Sequence, residues 1–222
     1  MKLQVYPSRK GLMAGLAAVI ADELRDGLTA GPVTLSVPGG TTPGPVFDAL
    51  AGVDLDWARV AVVLNDERWV GEDSPRSNTR LLRERLLRGH AAKARLLPLY
   101  APLPSPEDGL DVLAAGIAPH LPISVLLLGM GNDMHTASLF PGADRLVEAL
   151  SPEAPVLMAL RADRAGEPRI TLTASVLQAA KNIHILITGN DTRAALERAL
   201  QLTPIEAPIR AVLDQATVHW AE

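Results

Sequence analysis

Short runs of hydrophobic residues alternate along this chain with longer segments in which hydrophobic positions recur every three or four residues. The short runs are bounded by glycine, proline or polar residues, which is typical of buried strands. The longer segments have the period of amphipathic helices. The predicted strands are residues 33–37, 59–64, 124–128, 156–160 and 183–188. The predicted helices are residues 9–28, 43–51, 78–87, 106–118, 173–180 and 191–200.

This alternation of strands and helices predicts an α/β fold, with a mostly parallel sheet covered by helices on both faces. A chain of 222 residues is long enough for one well-buried core. The most linker-like segment, residues 98–104, is short, and we interpret it as a surface crossing. We therefore expect a single domain that spans residues 1–222.

Composition excludes several classes of protein. A net charge of −4 and an aromatic content of 3% argue against a nucleic-acid partner. Because the sequence has no cysteine, it excludes disulfides, thiol catalysis and cysteine-ligated metals. No apolar run approaches membrane-spanning length, and the first residues lack the apolar core of a signal peptide. We expect a cytoplasmic protein with no membrane partner.

The segment 126–142 carries the most informative pattern. A run of leucines ends in Gly129 and Gly131, and Asp133 and His135 follow directly. In open α/β sheets, ligands bind at the carboxyl ends of the strands. A histidine there can exchange a proton near neutral pH, and Asp133 could orient it or bind a sugar hydroxyl. The glycine N–H groups could stabilise an oxyanion.

A glycine-rich loop follows the predicted strand 33–37. Gly39 and Gly40 allow a sharp turn close to a ligand, and Thr41 or Thr42 can cap the helix that follows. Free N–H groups at the start of that helix favour an anion such as phosphate. The alternative is an ordinary tight turn with a helix cap.

Two further clusters carry arginines. Asp66 and Arg68 follow the predicted strand 59–64 and precede Asn78. Arg169 precedes an alternating apolar and threonine segment, from which it could reach the same pocket. An arginine suits a phosphate or carboxylate ligand. For both arginines the alternative is an exposed side chain at the surface.

The other histidines do not have the spacing of metal ligands. His184 lies inside the predicted strand 183–188, and we interpret it as a structural residue with a local partner. His219 is placed in a terminal strand, and His90 and His120 in loops.

Taken together, these segments resemble the 6-phosphogluconolactonase family. The matching motifs are Gly-Gly-Thr-Thr-Pro at 39–43, Asp-Glu-Arg at 66–68, Ser-Asn at 77–78, Gly-Met-Gly-Asn-Asp-Met-His-Thr-Ala-Ser-Leu-Phe-Pro-Gly at 129–142 and Arg-Ile-Thr-Leu-Thr at 169–173. Their order and spacing extend over most of the chain. The long central motif is highly specific, and the others are weak individually but strong together.

The resemblance implies a Rossmann-like α/β fold and hydrolysis of 6-phospho-D-glucono-1,5-lactone to 6-phosphogluconate in the oxidative pentose phosphate pathway. It implies that His135, beside Asp133, is the general base that activates water. The substrate-binding residues expected on this basis are Gly39, Gly40, Thr41, Thr42, Asp66, Arg68, Asn78, Gly131 and Arg169. The partner is then a small sugar-phosphate lactone. No cofactor or metal is expected, and the chain is expected to be a monomer or a small homo-oligomer.

Two pairs of backbone N–H groups could hold the oxyanion of the lactone, one at 39–40 and one at 129–131. The sequence leaves the choice between them open. Two positions also depart from the family pattern. Met134 stands where the family usually has glycine, so a positive φ there would be strained. Thr192 stands where the family commonly has lysine, and Arg193 is offset from it by about 100° on a helix.

Two other functions stay open. A glucosamine-6-phosphate deaminase-like enzyme shares a glycine-rich loop and an Asp-Gly-His segment, but it typically has tyrosine where Arg68 follows Glu67. It also has Ala-Phe-Asn-Glu-Pro where this chain has Ala-Ser-Leu-Phe-Pro at 137–141. A non-catalytic sugar-phosphate-binding protein would keep the pocket without turnover. Met134 and Thr192 are the positions that favour it.

Overall fold

Ten strands and eight α-helices are assigned in the computed structural model, which describes residues 1–163 and 165–222. The strands are β1 (Lys2–Val5), β2 (Val33–Val37), β3 (Val60–Leu64), β4 (Asp66–Arg68), β5 (Arg95–Leu97), β6 (Val125–Gly129), β7 (Leu157–Leu160), β8 (Arg169–Leu172), β9 (Asn182–Thr188) and β10 (Thr217–Ala221). The helices are α1 (Arg9–Ala30), α2 (Gly44–Ala51), α3 (Asn78–Arg85), α4 (Pro106–Ile117), α5 (Leu146–Ala149), α6 (Ala174–Gln178), α7 (Asn190–Ala199) and α8 (Arg210–Leu213).

The main sheet has seven strands in the order β1-β10-β9-β6-β2-β3-β5, and every neighbouring pair is parallel. Strands β2 and β3 are buried at every position, which requires that both faces of the sheet are covered. Strands buried on both faces appear in a sequence as continuous hydrophobic runs. The hydrophobic pattern therefore predicted β2 and β3, as the strands 33–37 and 59–64. The predicted α/β fold with a mostly parallel sheet is confirmed.

The predicted strand 156–160 is present as β7, but it does not belong to the parallel sheet. It pairs with β8 in a second, antiparallel sheet of order β4-β8-β7. Only Asn65 separates β3 from β4, so the chain passes directly from the main sheet into the second one. The expectation that this strand belongs to the parallel sheet is therefore wrong. A hydrophobic run shows that a strand is buried but not which strand it pairs with.

The strand order reverses between β2 and β6. After β2, the next main-sheet strand along the chain is β3, on one side; after β6, it is β9, on the other side. The loops that follow β2 and β6 therefore open in opposite directions and leave a crevice at the carboxyl edge of the sheet.

The six predicted helices are all present and start within one residue of the expected positions. The predicted threonine cap of α2 is wrong, because Pro43 occupies the N-cap position and neither Thr41 nor Thr42 caps the helix through its side chain. Thr41 contributes its carbonyl oxygen instead, which accepts the Gly44 N–H at 3.2 Å. Among the described residues, no helix has the length and apolar character needed to cross a membrane.

Candidate active site

A cavity of about 390 Å³ opens in the crevice where the strand order reverses. The loops after β2 and β6, the second sheet and the start of α7 contribute to its walls. Nine of the predicted site residues line it: Gly39, Gly40, Thr42, Asp66, Arg68, Asn78, Gly131, His135 and Arg169. Of the other two, Thr41 is exposed and does not line the cavity, and Asp133 contacts His135 from outside the lining.

The loop after β6 places the His135 ring at the cavity. Its Nδ1 lies 2.5 Å from Asp133 Oδ1, and its backbone N–H donates to the same oxygen at 3.3 Å. The hydrogen bond from His135 lowers the pKa of Asp133, although burial acts in the opposite direction. An ionised carboxylate only accepts hydrogen bonds, so a neutral His135 ring carries its proton on Nδ1. Nε2 is then the basic atom.

Gly131 allows the histidine ring to lie against the backbone of its own loop. A Cβ atom at this position would overlap the His135 ring and would lie 2.6 Å from Asp133 Oδ1. The Gly131 N–H donates to His135 O at 3.2 Å. It is therefore already used within the loop, which argues against the 129–131 pair as the oxyanion donors.

The other glycine pair, Gly39 and Gly40, has N–H groups with no acceptor among the described residues. Gly40 has φ 81°, a conformation that glycine adopts without strain. A Cβ atom at Gly39 would overlap the Asn78 side chain, which itself donates to Asp66 O at 3.1 Å. The geometry favours this loop for binding an anion or a developing oxyanion.

The antiparallel pairing of β4 and β8 places Arg68 directly opposite Arg169. Arg169 is only 7% exposed, and its Nη1 lies 3.7 Å from Asp66 Oδ2. Burial lowers the pKa of Arg169, and the Asp66 carboxylate opposes that effect. The Nε atoms of both arginines are buried without a hydrogen-bond partner in the part of the chain that the structure describes. Both arginines line the cavity, and two guanidinium groups on one wall suit an anionic ligand.

Phe140 is a cavity residue that sequence reasoning missed. Its ring stacks on the His135 ring with 4.3 Å between the centroids and 26° between the planes. The Arg169 guanidinium carbon lies 5.8 Å from the Phe140 centroid. Phe140 thus contacts His135 and Arg169 together. Its place in the same motif as His135 was the available signal.

Glu67 was also missed, because a carboxylate between two charged residues reads as part of an exposed run. It is fully buried. It accepts hydrogen bonds from the N–H groups of Arg68 at 2.8 Å, Asn78 at 2.8 Å and Thr79 at 2.7 Å. The Ser77 and Thr79 hydroxyls also donate to it. Glu67 therefore holds the start of α3 in place and with it the position of Asn78.

The two departures from the family pattern have different structural consequences. Met134 has φ 66°, so the strained backbone conformation is present. Thr192 lines the cavity and donates to Thr188 O at 2.5 Å. The Arg193 guanidinium carbon lies 4.5 Å from the Trp220 ring centroid, and Arg193 does not line the cavity. Arg193 therefore does not take the place of a cation at position 192.

Within residues 1–163 and 165–222, no group of three or more histidine, aspartate or glutamate side chains is arranged to hold a metal ion. His184 has local partners, as predicted: its Nδ1 lies 3.0 Å from His219 Nε2, and its Nε2 lies 2.8 Å from Glu23 Oε2. These histidines belong to the packing of α1 on the sheet rather than to the cavity.

Residues 7–220 match the family model described as glucosamine-6-phosphate isomerases/6-phosphogluconolactonase. The chain is 42% identical over 224 residues to a 6-phosphogluconolactonase of Mesorhizobium japonicum, covering 97% of this chain and 93% of that relative. It is also 42% identical over 231 residues to a 6-phosphogluconolactonase of Pseudomonas aeruginosa, covering 98% and 94%. A crystal structure of a 6-phosphogluconolactonase from Shewanella baltica superposes with a TM-score of 0.97 at 34% identity, covering 100% of this chain and 98% of that one.

These matches extend over nearly the whole chain and include the strands, the cavity loops and the second sheet. They confirm the resemblance that the motifs indicate. The chain belongs to the glucosamine-6-phosphate isomerase/6-phosphogluconolactonase family.

Proposed function

We propose that this protein hydrolyses 6-phospho-D-glucono-1,5-lactone to 6-phosphogluconate, with His135 as the general base. The observation that carries the proposal is the hydrogen bond between Asp133 and His135 Nδ1, in a cavity that also contains Arg68 and Arg169. Relatives with about two-fifths of their residues in common bear the name of this activity. The arrangement supplies a base and an anion-binding wall, which are the two groups that a phosphorylated lactone requires.

The base acts on water. His135 Nε2 removes a proton from a water molecule as its oxygen attacks the lactone carbonyl carbon, and the carbonyl oxygen becomes an oxyanion. The carbonyl–ring oxygen bond then breaks as the oxyanion collapses, and the ring oxygen takes the proton from His135. The ring opens to a hydroxyl and a carboxylic acid. The acid loses its proton to solvent, and His135 returns to its neutral form.

Asp133 stabilises the imidazolium that exists between these two proton transfers. Its carboxylate stays ionised because the hydrogen bond from His135 lowers the pKa of Asp133. The negative charge next to Nδ1 holds the ring in one orientation and favours proton uptake at Nε2. Phe140 stacks on the ring and restricts its rotation.

The remaining cavity residues divide between the two ends of the substrate. Arg68 and Arg169 line the cavity side by side, and two guanidinium groups together suit phosphate. The N–H groups of Gly39 and Gly40 suit the oxyanion, because the Gly131 N–H is already used. Asn78 lies next to this glycine loop and suits a sugar hydroxyl.

Freshly generated 6-phosphogluconolactone provides the test. We expect His135→Ala to lower kcat by about 10²–10⁴-fold, the usual contribution of a general base. Hydrolysis is measured against the spontaneous opening of the lactone. His90→Ala is the matched control, because His90 is exposed on a short 3₁₀ helix and does not line the cavity. A folded His135→Ala protein with the wild-type kcat would contradict the role of the base.

The same preparation discriminates the other functions. Release of ammonia from glucosamine 6-phosphate, without lactone hydrolysis, would indicate a deaminase-like enzyme. Binding of 6-phosphogluconate in calorimetry, without hydrolysis above the spontaneous rate, would indicate a non-catalytic binding protein. We expect neither result.

A further inference from the structure

We propose that Met134 is a positioning residue whose side chain holds the Asp133–His135 turn in the conformation that aims the histidine. The proposal goes beyond the family pattern, because this chain has methionine where the family usually has glycine. Its catalytic part rests on the proposed role of His135 as the base.

The backbone conformation at Met134 is unfavourable for a methionine. Its φ of 66° lies in the left-handed region, where the Cβ atom of any residue other than glycine is crowded. Residues held there persist only when the surrounding structure fixes them, and such positions cluster at functional sites. Met134 lies between the two residues of the acid–histidine pair, so its backbone angles decide how the two side chains face each other.

Both peptide groups of Met134 are engaged. Its N–H donates to Gly131 O at 2.9 Å, which closes the turn inside the loop. Its carbonyl oxygen accepts the N–H of Ile209 at 3.1 Å. Ile209 is fully buried and directly precedes α8. The turn is therefore attached to a distant part of the chain as well as to its own strand.

The side chain supplies the third attachment. Met134 is partly buried and packs against the hydrophobic core. Glycine would adopt the same φ without strain, but it would remove this contact and let the turn sample other conformations. Alanine would keep the strain and lose most of the contact. The two substitutions therefore separate backbone strain from side-chain anchoring, and Met134→Leu keeps the anchor because leucine and methionine are similar in volume.

Met13 is the matched control. It is also a partly buried methionine packed against the core, but it lies in the second turn of the long helix α1, far in sequence from the cavity loops. In a helix glycine is less stable than alanine, whereas at a left-handed position it is more stable. We expect the glycine variant to melt about 2–4 °C above the alanine variant at position 134, and below the alanine variant at position 13.

The readouts of position are kinetic and spectroscopic. We expect Met134→Ala and Met134→Gly to lower kcat by about 10–100-fold with KM within about threefold, because misplacement of a catalytic group by about 1 Å has an effect of this size. Met134→Leu retains kcat, and the Met13 variants are unchanged. In NMR spectra of ¹⁵N-labelled protein, we expect a signal from the hydrogen-bonded Nδ1 proton of His135 in the wild type and in Met134→Leu. We expect this signal to be lost or broadened in Met134→Ala and Met134→Gly.

Retention of the Nδ1 proton signal in Met134→Gly would overturn the proposal, and so would its loss in Met134→Leu. Because this signal does not depend on turnover, it tests the positioning role even if the wild type does not hydrolyse the lactone. In that case the proposed function fails, and the positioning of His135 by Met134 is judged on the spectrum alone.

Discussion

At the scale of single residues, the chemistry depends on which ring nitrogen of His135 carries the proton. The pKa of Asp133 is lowered by the hydrogen bond from His135, so the carboxylate is ionised well below neutral pH. A group whose pKa is lowered in the folded state stabilises that state above its ordinary pKa of about 3.9, and the contribution is lost as the pH falls further. The Asp133–His135 hydrogen bond is therefore intact throughout the neutral range.

Arg169 provides the prediction at this scale. We expect Arg169→Lys to raise KM for the lactone about tenfold or more, with kcat within about threefold, because lysine keeps the charge but not the planar pair of donors. A lost hydrogen bond to a charged group has an effect of this size. Steady-state kinetics on fresh lactone, with Arg59→Lys as the exposed control, provide the measurement. An unchanged KM would place the phosphate elsewhere in the cavity.

At the scale of elements, the second sheet brings the two cavity arginines together. Strand β4 is only three residues long, yet its antiparallel pairing with β8 places Arg68 opposite Arg169. Neither strand has a strong hydrophobic period, so the sequence predicted the two arginines but not that they are neighbours. The carboxylate of Glu67 then connects β4 to the start of α3. The contacts between β4 and α3, rather than the Ser-Asn motif itself, hold Asn78 at the cavity.

We expect Glu67→Gln to lower the free energy of unfolding by about 2–4 kcal/mol, because the amide N–H₂ group would face donors that now share a buried carboxylate. Urea denaturation followed by circular dichroism measures the change. Glu84→Gln is the control in the same part of the chain. Glu84 is exposed and pairs with Arg80 at the surface, so we expect a change of less than about 0.5 kcal/mol. Equal effects of the two substitutions would contradict the role of Glu67 in holding the start of α3.

At the scale of the whole molecule, a chain of hydrogen bonds connects Tyr6, which directly follows β1, to α1. It passes through β10 and β9 of the main sheet. The Tyr6 hydroxyl lies 2.9 Å from His219 Nδ1, and His219 continues through His184 to Glu23 on α1. Burial, His184 and the charge of Lys2 lower the pKa of His219 to about 4. The histidine is therefore neutral in the folded protein at neutral pH.

This pKa predicts how stability depends on pH. The ordinary pKa of histidine is about 6.5, so the unfolded chain binds a proton at His219 before the folded protein does. The stabilising contribution is complete above about pH 6.5 and is lost as the pH falls towards 4, up to about 3 kcal/mol. His219→Gln is expected to flatten the dependence of the unfolding free energy on pH in this interval, and exposed His90→Gln to leave it unchanged. The same slope in His219→Gln and wild type would contradict the assignment.

The sequence by itself determined four strands of the main sheet, β2, β3, β6 and β9, the positions of the longer helices and the loop that carries His135. The short edge strands β1 and β5 were not predicted. Each of these has a local signature: a continuous hydrophobic run, a helical period, or glycines at the end of a strand. Tertiary structure alone decided that β7 leaves the parallel sheet, that Arg68 faces Arg169, that Glu67 is buried and that Met134 has a positive φ. These features depend on contacts between residues far apart in the chain, such as Met134 with Ile209, and such contacts produce no periodic pattern.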